Sequence, residues 1–222
     1  MVFIVIDGID GSGKATQTNI LKERLRKEGY KVSIFDFPRY GKPSASLVED
    51  YLNGKFGSAD SLSPEAASIL FAIDRFAAKT DIENALKNGD IIISNRYVSS
   101  NMGHQAGKIR NIEKRKEFMN WLDNLEYHIF GIPRPDLSIF LDVPPRLGQM
   151  LVDKKGERNY LKGEKRDIHE ADISHLTNAY GVFAELSEKD DMWVRIECVK
   201  NGKLSSTEEI SELIWENISK LI

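Results

Sequence analysis

Val2-Phe3-Ile4-Val5-Ile6-Asp7-Gly8-Ile9-Asp10-Gly11-Ser12-Gly13-Lys14 is the stretch whose reading decides the fold. Val2 to Ile6 is an unbroken apolar run of β-branched and aromatic residues, the pattern of a strand covered on both faces of a parallel sheet. Gly8-x-x-x-x-Gly13-Lys14 follows at once, with the G-x-x-x-x-G-K spacing of a loop that joins such a strand to a helix and cradles phosphates. The glycines let successive N–H groups face inward, the helix adds its positive N-terminal end, and Lys14 supplies a compact charge. The plainer reading is a glycine-rich turn with a surface lysine. The position between buried strand and helix favours phosphate. G-x-G-x-x-G, the dinucleotide pattern, is absent from the loop.

Working outward, further apolar runs read as strands at Val32–Phe37, Ile91–Ser94, Leu137–Asp142 and Trp193–Val199, with the first at Val2–Asp7. Helical patterns lie between them. One runs from Gln17 to Glu28 and stops at Gly29. Another opens at Ser63-Pro64-Glu65, a cap followed by a first-turn proline and acid, and carries Phe71 and Arg75. Ser206 with Glu209 predicts a capping box for the last helix. Strands alternating with helices predict an α/β fold, a doubly wound parallel sheet of βαβ units in one domain spanning 1–222.

Net charge is −3, with 29% charged and 41% hydrophobic residues. A mildly acidic chain has no global field for coating nucleic acid or an anionic membrane, so any phosphate must be held by local cations. Val2 to Ile6 is too short for a signal or membrane segment, which predicts a protein with no membrane partner. The single cysteine, Cys198, excludes an intrachain disulfide and suits a buried position in a reducing cytoplasm.

Candidate binding residues gather where strands end, because ligands of such sheets sit beyond the carboxyl ends. Phe37-Pro38-Arg39-Tyr40-Gly41 follows the second strand, and Arg39 there is either a phosphate grip or a solvent-facing charge. Phe71 and Arg75 share a helical face: a ring that can stack on a base beside a guanidinium that can donate to its carbonyl, or a core ring beside a surface charge. Asn95-Arg96-Tyr97 and then Ser99, Ser100, Asn101 and His104 follow the third strand. They read either as a polar ligand edge or as an N-capped helix with exposed polar residues. Lys154 to Arg166 (KKGERNYLKGEKR) is dense in Lys, Arg and Gly, and reads either as a solvated loop or as a basic lid over phosphates. The position after Lys14, where such loops carry a Mg²⁺-ligating hydroxyl, holds Ala15. Thr16 lies about 100° further round the helix.

Taken together, GIDGSGK, FPRYG, LFAIDRF, RY after the third strand and RPDLSIFLDV before the basic segment resemble the thymidylate kinase family across essentially the whole chain. The resemblance implies a P-loop kinase with a five-stranded parallel sheet, a lid at about 154–166 and a homodimer packed through helices. It implies ATP and Mg²⁺ at Gly8, Ile9, Asp10, Gly11, Ser12, Gly13, Lys14, Ala15 and Thr16. On the acceptor side it implies dTMP, with Asp10 at the sugar 3′-hydroxyl, Phe37 beside the site, and Arg39 and Arg96 on the phosphate. Phe71 would stack on thymine, Arg75 would bond its O4, Ser100 and Asn101 would meet the pyrimidine edge, and His104 would crowd the 2′ position. With Ser12 non-basic, Arg158 or Arg166 of the lid would join Lys14, Arg96 and Asp10 in catalysis. Asn95 stands where the family carries Asp near the metal and would act on Mg²⁺ indirectly. Expected chemistry is in-line transfer of the ATP γ-phosphoryl group to a monophosphate, which is already anionic and needs no strong base. The alternatives are a UMP/CMP-type kinase, a deoxynucleoside kinase, and a non-catalytic nucleotide-binding relative. A nucleoside kinase would want a carboxylate directly after the second strand, where Phe37-Pro38-Arg39 stands instead.

Overall fold

The computed structural model describes residues 1–153, 167–169, 172–189 and 191–222. Along the chain come β1 (Phe3–Asp7), α1 (Lys14–Lys27), β2 (Val32–Asp36), α2 (Ser46–Leu52), α3 (Pro64–Phe76), α4 (Lys79–Lys87), β3 (Ile91–Asn95), α5 (Val98–Ala106) and α6 (Ile112–Asp123). A π-helical turn, Asn124–Ile129, prolongs α6. Then follow β4 (Leu137–Asp142), α7 (Pro145–Asp153), α8 (Ile173–Lys189), β5 (Trp193–Glu197), the short strands β6 (Val199–Lys200) and β7 (Lys203–Leu204), and α9 (Thr207–Ile218).

β1 to β5 form a five-stranded sheet in the order β2-β3-β1-β4-β5, and every pairing is parallel. The expected strands are all present, with ends moved by at most two residues. The sheet is built around β1, whose residues are all buried. Alternation along the strand divides the core: Ile4 and Ile6 pack with Leu21, Leu25, Ile139 and Ile214 on one face, while Phe3 and Val5 pack with Ile82, Ile92, Phe118 and Leu122 on the other. Cys198 is fully buried in the first of these clusters.

Helix ends follow their local chemistry. α1 starts at Lys14 rather than Gln17, because Gly13 at φ 89° turns the chain directly into the first helical residue. Gly29 at φ 90° ends that helix region. Ser63 accepts from the Ala66 N–H at 3.1 Å with Pro64 in the first turn, and Ser206 with Glu209 closes a full capping box; each such cap is worth about 1 kcal/mol. The β6–β7 hairpin was not among the expected elements. Its signal is Asn201-Gly202, both at positive φ (51° and 74°), the pair that a two-residue hairpin turn requires.

Parallel pairing brings the carboxyl ends of β1, β2, β3 and β4 to one edge of the sheet. β1 is flanked by β3 on one side and β4 on the other, so the chain leaves the sheet in opposite directions there and opens a crevice.

Candidate active site

A cavity of about 480 Å³ occupies that crevice. Its floor is the loop between β1 and α1. Gly8, Gly11 and Gly13 have φ of 142°, 82° and 89°, left-handed values that L side chains rarely adopt. A side chain at Gly11 would also collide with the Gly148 carbonyl of α7, whereas one at Gly13 would meet nothing within 4 Å. Gly11 is therefore needed for loop packing and Gly13 for backbone conformation. Lys14 lies back across the loop, its Nζ donating to the carbonyls of Gly8 (3.0 Å) and Ile9 (2.8 Å). Ile9 and Ser12 are buried, and the Ser12 hydroxyl has no hydrogen-bond partner among the described residues. Ala15 lines the cavity; Thr16 is exposed.

Arg96 follows β3 in the left-handed region at φ 67°. Its N–H donates to Ile6 O at 3.1 Å, extending the β1–β3 pairing by one residue. From there its guanidinium reaches across the crevice to the carboxylate of Asp10. The other terminal nitrogen donates to Ser100 Oγ (3.1 Å) and faces His104 Nε2 (3.2 Å). Behind this pair, the Asp7 carboxylate accepts from Ser99 Oγ (2.6 Å), Ser100 Oγ (2.7 Å) and the Gly8 N–H (2.9 Å), tying loop, strand and α5 together. Burial works to raise the Asp10 pKa, but the charges of Arg96 and Lys14 outweigh it and hold the carboxylate ionised well below its usual range.

His104, His169 and His175 form a buried cluster beside Arg96. A guanidinium can only donate, so His104 Nε2 must accept from Arg96. Neutral His104 then carries its proton on Nδ1 and donates to His175 Nε2 at 3.2 Å. His169 Nε2 lies 2.9 Å from the Tyr51 hydroxyl, which also accepts from Lys108 Nζ at 3.0 Å. Burial, reinforced by Arg96 for His104 and by His175 for His169, holds both rings neutral well below the ordinary histidine range, and burial pushes His175 down to about 4. Two of these neutral rings, His104 and His175, thus share a hydrogen bond, while His169 bonds the Tyr51 hydroxyl and packs against His175 with ring centres 4.3 Å apart.

Phe71 and Asn101 line the far end of the cavity with Arg75. Phe71 is held edge-on by Tyr51, with ring centres 6.1 Å apart. Arg75 is almost wholly buried and pairs through two hydrogen bonds with Glu126. Asn101 Nδ2 donates to Ser68 O at 3.0 Å. The cavity thus has a cationic, loop-lined end and another that offers a ring, a guanidinium and an amide, the chemistry of a phosphate beside a base.

The sequence model of thymidylate kinase matches residues 6–210. The chain belongs to the thymidylate kinase family. Thymidylate kinase from Mycobacterium tuberculosis is 30% identical over 210 residues, covering 93% of this chain and 96% of that protein. Thymidylate kinase from Plasmodium falciparum is 28% identical over 220 residues, covering 99% and 90%. Among solved structures, a thymidylate kinase from Candida albicans, described as having broad substrate specificity, superposes with a TM-score of 0.73 at 25% identity over 99% of this chain and 91% of that one. The fold is therefore that of a P-loop kinase, and the family is one of nucleoside monophosphate kinases.

Within this thymidylate kinase framework, the structure gathers Asp10, Lys14, Phe37, Phe71, Arg75, Arg96, Ser100, Asn101 and His104 around one cavity, with Asn95 beside Arg96. The α5 polar residues are buried, so the reading of a helix with exposed polar groups does not hold; nor is Arg75 a surface charge. The Ser100 hydroxyl is engaged by Asp7 and Arg96, towards the loop end. Arg39 is outside the lining: its Nε and N–H donate to Asp74 (3.0 and 2.7 Å) and its Nη2 to Ser44 Oγ at 2.8 Å. Arg158 and Arg166, with the rest of the 154–166 lid, lie outside the described residues. Sequence reasoning passed over Asp74, Glu126, His169 and His175, all buried, and Asp36. That residue ends β2 and lines the cavity, so a carboxylate does stand at the end of the second strand.

Proposed function

We propose that this chain transfers the γ-phosphoryl group of ATP to dTMP, in the presence of Mg²⁺. The observation that carries the reading is a single cavity with a glycine loop and Lys14 at one end, Arg96 in the middle, and Phe71, Arg75 and Asn101 at the other. Gly8 to Thr16 would hold ATP, with Lys14 leaving the loop carbonyls for the β- and γ-phosphates. Arg96 would exchange part of its pairing with Asp10 for the acceptor phosphate, and Asp10 would accept from the sugar 3′-hydroxyl. Arg39, outside the cavity lining, would serve that phosphate only by turning into the cavity. Phe71 would stack on thymine, and His104 would stand at the 2′ position. Alignment and charge neutralisation by Lys14, Arg96 and a lid arginine, Arg158 or Arg166, account for the chemistry.

The residues present fit a hydrated divalent cation. Asn95 Oδ1 is buried with no hydrogen-bond partner among the described residues, and Asp10 and Asp36 add carboxylates to the same cavity. When bound, Mg²⁺ supplies charge neutralisation at the β- and γ-oxygens, keeping several waters. Ala15 cannot ligate it, so Asn95 would act through a metal-bound water.

One domain over 1–222, residence in the cytoplasm and a homodimer complete the reading. The dimer is supported by α3, which exposes Ile69, Ile73 and Phe76 along one stripe. Asp36 favours a second reading, a deoxynucleoside kinase in which that carboxylate would deprotonate a neutral 5′-hydroxyl. Coupled ADP release with dTMP, dUMP, dCMP, dGMP, CMP and thymidine tests both. Turnover of dTMP well above dCMP and thymidine is expected. Equal or better turnover of thymidine would transfer the assignment to the second reading, and no turnover of any acceptor would leave a nucleotide-binding protein without catalysis.

A further inference from the structure

Glu126 is a fully buried carboxylate, at 0% exposure, in the π-helical turn that prolongs α6. Such a group persists only when charge and hydrogen bonds satisfy it. Its Oε2 accepts from Arg75 Nε at 2.5 Å and its Oε1 from Arg75 Nη2 at 2.6 Å, a two-pronged clamp on one edge of the guanidinium. The opposite edge, with both Nη1 protons and the second Nη2 proton, remains to donate elsewhere, and Arg75 lines the cavity. The same Oε1 accepts from Asn101 Nδ2 at 3.3 Å, while Ser68 O accepts from that nitrogen at 3.0 Å. Two acceptors around one end of the Asn101 amide fix which end is NH₂, because turning it over would set three oxygens against one another. Asn101 Oδ1 is left as the end available to a ligand.

Clamped in this way, two side chains that could each take several roles present one pattern: a donor from Arg75 beside an acceptor from Asn101. Its complement is a carbonyl next to a ring N–H. Thymine and uracil carry that edge at O4 and N3; guanine carries it on a larger ring system. Cytosine offers an amino group beside a bare ring nitrogen and would leave both protein groups facing like partners, an arrangement that discriminates strongly in a desolvated site.

We propose that Glu126 is the positioning residue that sets this enzyme's preference for a keto–imino pyrimidine, acting through Arg75 and Asn101 without itself touching the base. The proposal rests on the reading of this end of the cavity as the base site.

The test compares kcat/KM for dTMP and dCMP in the wild-type chain, in Glu126→Gln and in Glu126→Asp, with thermal unfolding of each. Gln keeps the shape but replaces one acceptor with a donor, so one prong of the Arg75 clamp or the second acceptor at the Asn101 amide is lost, and Ser68 O alone is left to orient that amide in the latter case. The dTMP/dCMP ratio is expected to fall about tenfold or more, chiefly through a higher KM for dTMP, with KM for ATP unchanged. Asp keeps the charge at shorter reach, and its ratio should lie between the other two. Glu126→Asp also carries the test if burying Arg75 opposite a neutral Gln prevents folding. A merely structural role predicts equal losses for both substrates. An unchanged ratio in the folded variants, beside a wild-type preference for dTMP, would overturn the role of Glu126 alone. A wild-type enzyme that used dCMP as readily as dTMP would overturn the base-site reading and this proposal together.

Discussion

Replacing Arg96 by glycine and by alanine separates what its backbone costs from what its side chain does. Arg96 sits at φ 67°, a conformation that costs an L residue about 1–2 kcal/mol and glycine almost nothing. Glycine gives back roughly 0.5–1 kcal/mol through the greater freedom of its unfolded chain. Both variants delete the ion pair with Asp10 and the bond to Ser100. That loss is common to them and cancels in the comparison. Arg96→Gly should therefore be more stable than Arg96→Ala by roughly 0.5–1 kcal/mol, or about 1–4 °C in Tm for a chain of this size.

Activity should not follow stability. If the guanidinium supplies a charge-assisted contact to the transferring group, both variants should lose phosphoryl transfer alike, by roughly 10²–10³ in kcat. Urea unfolding and coupled ADP release on the two proteins give both numbers. An alanine variant as stable as the glycine variant would refute the left-handed backbone argument. A glycine variant retaining wild-type kcat would remove Arg96 from the mechanism.

Because burial holds His175 down to about 4 against an ordinary 6.5, the native state binds fewer protons than the unfolded chain between those values. Stability from this group is complete above about pH 6.5 and is lost as pH falls towards 4, so urea unfolding should show roughly 2 kcal/mol more loss from pH 7.5 to pH 5 in the wild type than in His175→Phe; parallel declines would sink the idea. For the metal, Asn95→Asp places a negative charge where Asn95 Oδ1 has no hydrogen-bond partner among the described residues, worth on the order of 1 kcal/mol in a partly screened site. The Mg²⁺ activation curve of dTMP phosphorylation should then shift several-fold to lower concentration, and Ala15→Thr should act in the same direction. Superimposed curves would show that neither position affects the metal.

What could be read from the sequence divides along a physical line. Strands covered on both faces must be apolar throughout, and helix starts must supply their own caps, so β1 and the ends of α3 and α9 are written in adjacent residues. The phosphate loop is legible for the same reason, since its function resides in consecutive backbone groups and one lysine. Glu126 and Asp74 carry no comparable local sign: each looks like a surface charge, and each acquires its role from an arginine 51 or 35 positions away in the chain. A signal for them did exist on the other partner. An arginine set in a cavity wall cannot remain there without a counter-charge, so assigning Arg75 to the base already required a buried carboxylate somewhere in the chain. The same reasoning applied to Arg39 leads to Asp74 and gives a different result. Both arginines commit Nε and Nη2, Arg75 to Glu126 and Arg39 to Asp74 and Ser44, but Arg75 lines the cavity whereas Arg39 lies outside its lining. Two arginines that look equivalent in sequence are thus unequal in placement: Arg75 already stands in the cavity wall, and Arg39 must turn into the cavity before it can grip a phosphate.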